Sequence, residues 1–342
     1  MSDTLSEILS TYTPSGREKE NSKPITDNLL KYTNDIKIDS LGNIIGNYFT
    51  STSGCKTIML DAHYDEVSLV VTEILSDGFL RFSSSTGMDI RCIIANDVVV
   101  HGQVDINAVV TSTPPHLVLE NNIYPKESEL FIDTGLDNNK LREIVSVGDA
   151  VTFKENYNHL CGTNIYSKGL DNKISVYIIL EVLKKLKQND VKCNVVTLFS
   201  TGEEANGIGA GAGTYNVNPD IAIVLDVSFA KTPNTKADKC GQATKGVMIG
   251  VSPSLDINVS NKLREIAGTK NIPYQIEVMS GGTGTNASFI AKSRMGVSTS
   301  LLSIPIKYMH TGIETVDTID VLAVIDLVYE YILFVSKEIR LW

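Results

Sequence analysis

The fold of this chain is organised around residues 167–187, which read SKGLDNKISVYIILEVLKKLK. Apolar side chains recur in this stretch with the spacing of one helix face, at Ile174, Ile178, Val182 and Leu186. The pattern predicts a buried helix over residues 172–187, with lysines at the end where the helix dipole is negative. Asp171 then lies fixed at the start of this helix, where its two oxygens can bridge a pair of cations.

Four other stretches place a histidine or an acidic residue at or beside the end of a predicted strand. In open α/β sheets, functional sites form beyond the carboxyl ends of the strands, so we expect these side chains to converge on Asp171. The strands and their side chains are residues 56–61 with His63, residues 193–199 with Glu203 and Glu204, residues 221–225 with Asp226, and residues 297–304 with His310.

Two imidazoles and three carboxylates from these stretches form a mixed nitrogen and oxygen set that suits zinc, cobalt or manganese. The set predicts two divalent metal ions per subunit. With Asp171 bridging, His63 and Asp226 complete the site of one ion, and Glu204 and His310 complete the site of the other. Each ion keeps open positions for a water and a substrate carbonyl, as a catalytic site requires.

Two further carboxylates have separate predicted roles in catalysis. Consecutive side chains diverge, so Glu204 can bind a metal while Glu203 acts as general base on the attacking water. Asp65, two residues after His63, can accept the other N–H of the imidazole and fix its tautomer.

The middle of the chain has a different sequence pattern from the two ends. From residue 67 to about 154, short predicted strands are separated by Gly, Ser, Asn and Pro clusters, which is typical of an all-β barrel or sandwich. We therefore predict an α/β domain formed by residues 1–67 and 158–342, with a β domain inserted at residues 68–157. The strands predicted in the insertion are residues 69–74, 79–82, 98–101, 106–110 and 149–153. Three histidines in or next to it are interpreted as structural or surface residues: His101, His116 and His159.

The remaining periodic segments complete the α/β domain. Helices are predicted over residues 5–11, 18–32, 255–267, 287–292 and 317–336. Strands are predicted over residues 35–39 and 44–49, which form a hairpin at a sheet edge, and over residues 274–278.

Composition excludes several classes of partner. With 30 basic and 40 acidic residues, the net charge of −10 argues against nucleic acid. No apolar run is a membrane span, because the longest, residues 321–335, contains Asp326 and Glu330. The acidic start MSDTLSE lacks the features of a signal peptide, which predicts a cytoplasmic protein. Five scattered cysteines without a CxxC motif indicate buried free thiols.

Several motifs occur together in one order along most of the chain. They are AHYDE at residues 62–66, SKGLDNK at 167–173, GEE at 202–204, PDIAIVLDV at 219–227 and IPIKYMH at 304–310, with PPH at 114–116 and ELFID at 129–133 in the insertion. Together they resemble the M42 family of metallo-aminopeptidases, also labelled glucanase-like. The resemblance implies an α/β/α domain around a mixed sheet, with the insertion as a lid and dimerisation domain. It also implies a two-metal site with the roles given above, release of N-terminal residues from short peptides, and a homo-oligomer, usually a tetrahedral dodecamer.

Five positions depart from the family pattern. Gly202 replaces a common Gln, Ala205-Asn206 replaces Val-Gly, Gly169 replaces Ala, and Asn286 stands where the family typically has Asp. Asn286 keeps the shape of aspartate but lacks its charge, so the position bears on recognition of the substrate amine or on support of a metal ligand.

Three alternatives remain open at this point. GIGAGAG at residues 207–213 suggests a nucleotide-binding oxidoreductase, but the glycines do not directly follow a strand, and residues 214–218 are too short for the required helix. A glycoside hydrolase would use two of the carboxylates but would leave the two histidines without a task. A catalytically weak or inactive, metal-stabilised oligomeric peptide-binding protein is the non-enzymatic alternative.

Overall fold

The computed structural model of this chain describes residues 3–48, 55–85, 87–117, 125–189, 191 and 193–338. The helices in this part of the chain are α1 (Asp3–Leu9), α2 (Lys23–Leu29), α3 (Asn138–Ile144), α4 (Leu170–Leu186), α5 (Ile208–Val217), α6 (Ile257–Lys270), α7 (Ala287–Ile290) and α8 (Thr318–Glu338). The strands are β1 (Ile36–Ile38), β2 (Ile44–Tyr48), β3 (Thr57–His63), β4 (Leu69–Ile74), β5 (Phe79–Ser84), β6 (Asp97–His101), β7 (Asp105–Ser112), β8 (Leu130–Asp133), β9 (Ala150–Phe153), β10 (Asn158–His159), β11 (Asn164–Ser167), β12 (Asn194–Ser200), β13 (Ile221–Phe229), β14 (Val247–Val251), β15 (Tyr274–Val278), β16 (Ser298–Lys307) and β17 (Glu314–Asp317).

One large mixed sheet carries the α/β part of the molecule. It has 11 strands, with the path β1-β2-β12-β3-β13-β16-β17-β11-β10, while β14 pairs with β16 and β15 pairs with β14. The central strands β12, β3, β13 and β16 are parallel, so their carboxyl ends meet at one edge. The predicted hairpin at a sheet edge is confirmed, because β1 is the terminal strand and pairs antiparallel with β2.

Helices cover both faces of this sheet, as predicted for strands that are apolar throughout. On one face α1, α4, α6 and α8 share a core with β3 and β13. On the other face α5 and α7 pack on side chains such as Met59, Leu198 and Val224. An α/β/α arrangement around a mixed sheet is therefore confirmed.

The helix that follows Asp171 is buried along most of its length, as its sequence predicts. Its first residues are irregular, because Asp171 and Asn172 have non-helical backbone angles and the peptide bond between them is cis. Regular helix thus begins after Asn172.

The insertion is a closed six-stranded barrel with the order β4-β5-β8-β7-β6-β9 and its own apolar core. A barrel-like insertion is thus confirmed, while the boundaries at 67/68 and 157/158 stay a prediction. Strand β8 and helix α3 were not predicted. The side chain of Asp137 caps α3 by accepting hydrogen bonds from Asn139 N and Lys140 N, a local signal that could have located the helix.

The three histidines of this region have different surroundings. His101 is buried, and its ring is hydrogen-bonded to Asp105 at 2.8 Å and to the Thr152 hydroxyl at 2.9 Å. His116 and His159 are exposed.

Two predicted strands are longer in the structure because their pairing continues. In β3, Ala62 and His63 pair with the last residues of β12. Strand β13 extends to Phe229 because it stays paired with β16, so Asp226 lies inside the strand rather than after it. The predicted helix over residues 18–32 is divided instead, into a 3-10 turn at Glu18–Asn21 and α2, whose first turn contains Pro24.

The glycine-rich segment forms a helix that was not predicted. Residues 208–217 form α5, so the glycines lie in a helix rather than in a loop before one. A Cβ on Gly209 would lie 2.2 Å from the Thr201 carbonyl oxygen, and a Cβ on Gly213 would lie 2.5 Å from the Leu198 side chain. These glycines therefore allow α5 to pack closely on the sheet, which explains them without a nucleotide.

In the described part of the chain, every helix is too short or too polar to cross a lipid bilayer.

Candidate active site

The structure brings all five predicted metal ligands together at the carboxyl edge of the parallel strands. Nε2 of His63 lies 3.2 Å from Asp171 Oδ1 and 3.6 Å from Asp226 Oδ1. Nε2 of His310 lies 3.2 Å from Asp171 Oδ2 and 3.3 Å from Glu204 Oε2. The two oxygens of Asp171 therefore face different imidazoles, and two half-sites share this one carboxylate.

The donor atoms of each half-site fit a divalent metal ion. His63, Asp171 and Asp226 form one group, and Asp171, Glu204 and His310 form another; a third group combines His63, Glu203 and Glu204, and within each group the donor atoms lie within 4.8 Å of one another. Tetrahedral coordination with bonds of about 2.0–2.2 Å separates neighbouring donors by roughly 3.3–3.6 Å, close to the separations above. Oε1 of Glu204 is also buried without a hydrogen-bond partner. The ligand roles of these residues stay a prediction.

The electrostatics of the site also favour cations. Burial raises the pKa of Glu204 to about 7, and the charge of Asp171 adds to the shift. Burial acts to lower the pKa of His310, but hydrogen bonds with Asp171 and Glu204 raise it to about 11. Without metal, protonated imidazoles therefore balance the crowded carboxylates, and divalent ions would take over this role.

Glu203 lies beside these groups and lines the same cavity. One of its donor atoms lies within 4.8 Å of His63 and Glu204 donors. Burial raises the pKa of Glu203 to about 9; the His63 charge lowers it, while Asp226 and Glu204 raise it further. The side chain is thus placed where a proton acceptor would act, and its role as general base stays a prediction.

Asp65 makes more contacts than the predicted one to His63. Its Oδ1 lies 3.3 Å from His63 Nδ1, and its backbone carbonyl oxygen lies 3.2 Å from the same nitrogen, so either oxygen can accept the ring N–H. Its two carboxylate oxygens also accept hydrogen bonds of 3.1 Å from the backbone N–H groups of Glu203 and Glu204. The hydroxyl of Ser15 donates to the same carboxylate at 2.7 Å. Asp65 therefore links the end of β3 to the loop that carries both glutamates.

Glu314 is a residue of the site that sequence reasoning missed. It is buried in β17, where Oε2 accepts a hydrogen bond of 2.9 Å from Asp171 N and Oε1 accepts one of 2.7 Å from His310 N. Burial and the nearby Asp171 raise the pKa of Glu314 well above its usual range. One side chain thus holds the backbone of two predicted ligands, including His310, whose φ of 62° is left-handed.

The barrel also reaches the site, through Gly87. Nδ1 of His310 lies 3.3 Å from the Gly87 carbonyl oxygen, which can accept the ring N–H and leave Nε2 free for a metal. A Cβ on Gly87 would lie 2.7 Å from the same Nδ1. This position therefore needs a glycine, both for this close approach and for its φ of +88°.

Asn286 lies beneath the site and is 1% exposed. Its Nδ2 donates to Ser200 Oγ at 2.9 Å and to Asp61 Oδ2 at 3.2 Å. Asp61 is fully buried, and burial raises its pKa to about 7. Asn286 is therefore a support for the β3 and β12 strand ends. The buried position of Asn286 does not favour a contact between its side chain and a substrate amine.

A buried ionic cluster fixes the segment around Asp171. The ammonium groups of Lys168 and Lys173 donate to Glu66 at 2.8–2.9 Å and to the Thr11 carbonyl oxygen at 2.6 and 2.7 Å. Thr13 N donates to Glu66 at 2.8 Å. Burial acts to raise the pKa of Glu66, but the two lysines lower it to about 2. The cluster joins the residues after His63 to the residues around Asp171.

Replacing Glu66 with glutamine is expected to lower the free energy of unfolding by about 3–5 kcal/mol, because two buried ammonium groups lose their counter-ion. Urea denaturation of the metal-free protein measures this. Since the folded pKa of Glu66 lies below its ordinary value of 4.5, its contribution is complete above about pH 4.5 and is lost as the pH falls towards 2. The difference between the two proteins should therefore narrow in acid.

Glu73→Gln is the matched control for this variant, because Glu73 is an exposed glutamate in β4. It should change the free energy of unfolding by less than about 0.5 kcal/mol. Equal stability of the Glu66 variant and this control at neutral pH would contradict the assigned role of the cluster.

A cavity of about 300 Å³ lies next to the predicted ligands. Beyond the residues already described, its walls include Ser228, Phe229, Glu277, Thr285, Ser303 and Met309.

Comparisons with known proteins find relatives that match most of the chain. A lysyl aminopeptidase from Pyrococcus furiosus is 30% identical over 303 residues, which cover 87% of this chain and 86% of the relative. The structure of an aminopeptidase from the archaeon Desulfurococcus kamchatkensis has a TM-score of 0.91 and 30% identity, covering 98% of this chain and 95% of that one. The TET1 peptidase of Pyrococcus horikoshii, which can assemble into a tetrahedron or a large octahedral shell, has a TM-score of 0.83 and 28% identity, covering 96% and 97% of the two chains.

The similarity extends to the family as a whole. The sequence profile of M42 glutamyl aminopeptidases matches residues 42–327, which include all five predicted ligands, Glu203 and Asp65. The chain therefore belongs to the M42 glutamyl aminopeptidase family of peptidases.

Proposed function

We propose that the protein is a metal-dependent aminopeptidase that removes N-terminal residues from short peptides with two divalent ions per subunit. The observation that carries the proposal is the position of Asp171, whose oxygens lie 3.2 Å from Nε2 of His63 and 3.2 Å from Nε2 of His310. A carboxylate shared in this way by two donor groups is an arrangement suited to a two-metal site.

We assign one ion to His63, Asp171 and Asp226, and the other to Asp171, Glu204 and His310. The mixed nitrogen and oxygen donors suit zinc, cobalt or manganese. When bound, the ions supply Lewis acidity that polarises a substrate carbonyl and makes a water more acidic.

Glu203 is the proposed general base. Its carboxylate takes a proton from the attacking water and later gives it to the leaving amine. Asp65 keeps the loop of Glu203 in place through the backbone N–H, and it orients the His63 ring.

The charge of the site supports release of residues from an N-terminus. A cavity of about 300 Å³ lies beside the predicted ligands, and the acidic residues around it favour a free α-amino group. A glycoside hydrolase would leave unexplained why Nε2 of His63 and Nε2 of His310 both face carboxylates.

We also propose that the protein forms a homo-oligomer, with a dodecamer as the assembly implied by the resemblance. The ability of the related TET1 peptidase to form a tetrahedron or an octahedral shell supports this proposal. Family membership does not fix the preferred N-terminal residue, because the family is named for glutamyl residues and the Pyrococcus furiosus relative for lysyl residues.

Removal of metal is expected to abolish hydrolysis of aminoacyl-coumarin substrates, and zinc, cobalt or manganese added back should restore it, because the ions supply the Lewis acid. Release of coumarin fluorescence by chelated and reconstituted protein measures the effect. The matched control substrate carries an N-acetyl group, which removes the free amine and should block cleavage. A metal-loaded protein that cleaves no aminoacyl substrate, or cleaves the acetylated one equally well, would overturn the proposal.

A further inference from the structure

One wall of the cavity carries a carboxylate that the proposed chemistry does not use. Glu277 lies in β15, which is two strands away from β16 through β14. Its Oε2 accepts a hydrogen bond of 2.7 Å from Ser303 Oγ, and its Oε1 accepts one from Ser228 Oγ. These two hydroxyls hold the carboxylate in the wall of the cavity that also contains the predicted ligands.

The register of the sheet places Glu277 near the predicted ligands but outside their donor groups. Ser303 in β16 pairs with Asp226 in β13, so the two side chains are neighbours on one face. Glu277 accepts its hydrogen bond from Ser303 on the side of β16 that is away from β13. The Ser303 side chain therefore lies between Glu277 and Asp226. The described groups of possible metal donors do not include Glu277.

Glu277 has no cationic partner within the described chain. The groups that act on it are the two serine hydroxyls and Asp226, which is also negative. Burial raises the pKa of Glu277, and the charge of Asp226 adds to this. A ligand that brings a positive charge to this wall would supply the missing partner and would favour the ionised carboxylate.

The rest of the wall is suited to an aliphatic stem. Phe229, Leu301 and Met309 line the same cavity and offer apolar surface beside Glu277. The side chains of lysine and arginine combine a flexible apolar stem with a cationic head, which matches this combination of surfaces. A glutamyl or aspartyl side chain would place a second negative charge beside Glu277 and would be disfavoured.

We propose that Glu277 selects substrates whose N-terminal residue is lysine or arginine, by pairing with the cationic end of that side chain. This inference rests on the proposed aminopeptidase function and specifies its substrate class. The α-amino group is a different cation, and it must lie beside the predicted ligands because it is attached next to the reacting carbonyl. The position of Glu277 beyond Asp226 and Ser303 fits the side chain instead.

The test compares lysyl-, norleucyl- and glutamyl-coumarin as substrates of the metal-loaded protein. Norleucine has an uncharged stem and lacks the ammonium group, so the ratio of kcat/KM for lysyl over norleucyl substrate isolates the charge. We expect the wild-type protein to favour the lysyl substrate and to cleave the glutamyl substrate slowest. Glu277→Gln should lower the lysyl to norleucyl ratio by about 10- to 100-fold, since it removes one charged hydrogen-bond acceptor and keeps the size.

Glu265→Gln is the matched control, because Glu265 is an exposed glutamate on α6, away from the cavity. It should leave the ratio unchanged. An equal loss of activity of the Glu277 variant on all three substrates would show contact with the α-amine or a structural role, and would overturn the inference. Melting temperatures of the three proteins show whether the variants are folded.

A binding measurement separates this inference from the proposed function. Calorimetry gives the affinities of lysine hydroxamate and norleucine hydroxamate for the metal-loaded protein. Tighter binding of the lysine compound, lost in Glu277→Gln, would support the cation pocket even in a protein without peptidase activity. Equal affinity of the two compounds for the wild-type protein would overturn the pocket, whatever the activity.

Discussion

Asp171→Asn is expected to weaken binding of both metal ions together and to lower kcat/KM on the order of 10⁴-fold. The reason is that Asp171 gives one oxygen to each half-site, at 3.2 Å from each imidazole Nε2. The amide keeps the shape of the side chain but has one oxygen, no negative charge and an NH₂ group directed at one of the ions. Metal content per subunit after dialysis and the rate of aminoacyl-coumarin hydrolysis measure the two effects.

Two control variants separate this result from general damage. Asp326→Asn changes a half-exposed aspartate that pairs with Lys185, and it should keep full metal content and activity. Glu204→Gln affects a residue of one half-site and should mainly weaken one ion. If Asp171→Asn retained both ions with the affinity of the wild-type protein, the shared-carboxylate arrangement would be wrong.

Glu203→Gln is expected to lower kcat by about 10²- to 10⁴-fold while both ions remain bound, because glutamine cannot accept the proton of the attacking water. Glu203 is outside the two donor groups that share Asp171, although it belongs to a third group of possible donors with His63 and Glu204. If Glu203 is the base rather than a ligand, its loss should spare metal content. Its backbone N–H is held by Asp65, which the substitution leaves in place. Kinetics and metal analysis of the same preparation measure both quantities.

Glu204→Gln is the closest control for this variant, because it makes the same substitution at the adjacent residue. We expect loss of metal in the Glu204 variant and loss of turnover without loss of metal in the Glu203 variant. Wild-type turnover in the Glu203 variant, or loss of an ion from it, would assign the base to another group.

The main features of the site were predictable because they depend on position along strands. Parallel strands bring their carboxyl ends to one edge, so His63 after β3 and Asp226 near the end of β13 were expected to meet. The apolar run of α4 likewise predicted a buried helix beside Asp171. In both cases a local pattern determines where the side chain lies in the fold.

Other contributors depend on tertiary contacts that leave no local pattern. Glu314 accepts hydrogen bonds from the backbone N–H groups of two predicted ligands. The sequence alone does not distinguish such a glutamate from a solvated glutamate in a short strand. Gly87 reaches His310 from a separate barrel, which sequence spacing does not reveal. Helix α5 was missed because glycine disfavours helix, while close packing of Gly209 and Gly213 on the sheet overrides that preference.

The long separation in sequence between His63 and His310, which meet at one carboxylate, has a consequence for biosynthesis. A nascent chain emerging from the ribosome carries His63 early, but it lacks the second imidazole until β16 and the turn after it have been translated. On the proposed assignment, the group of His63, Asp171 and Asp226 is translated well before β16, whereas the group that includes His310 is complete only near the end of translation. The two proposed ions would therefore be bound in sequence, the second by a largely finished domain.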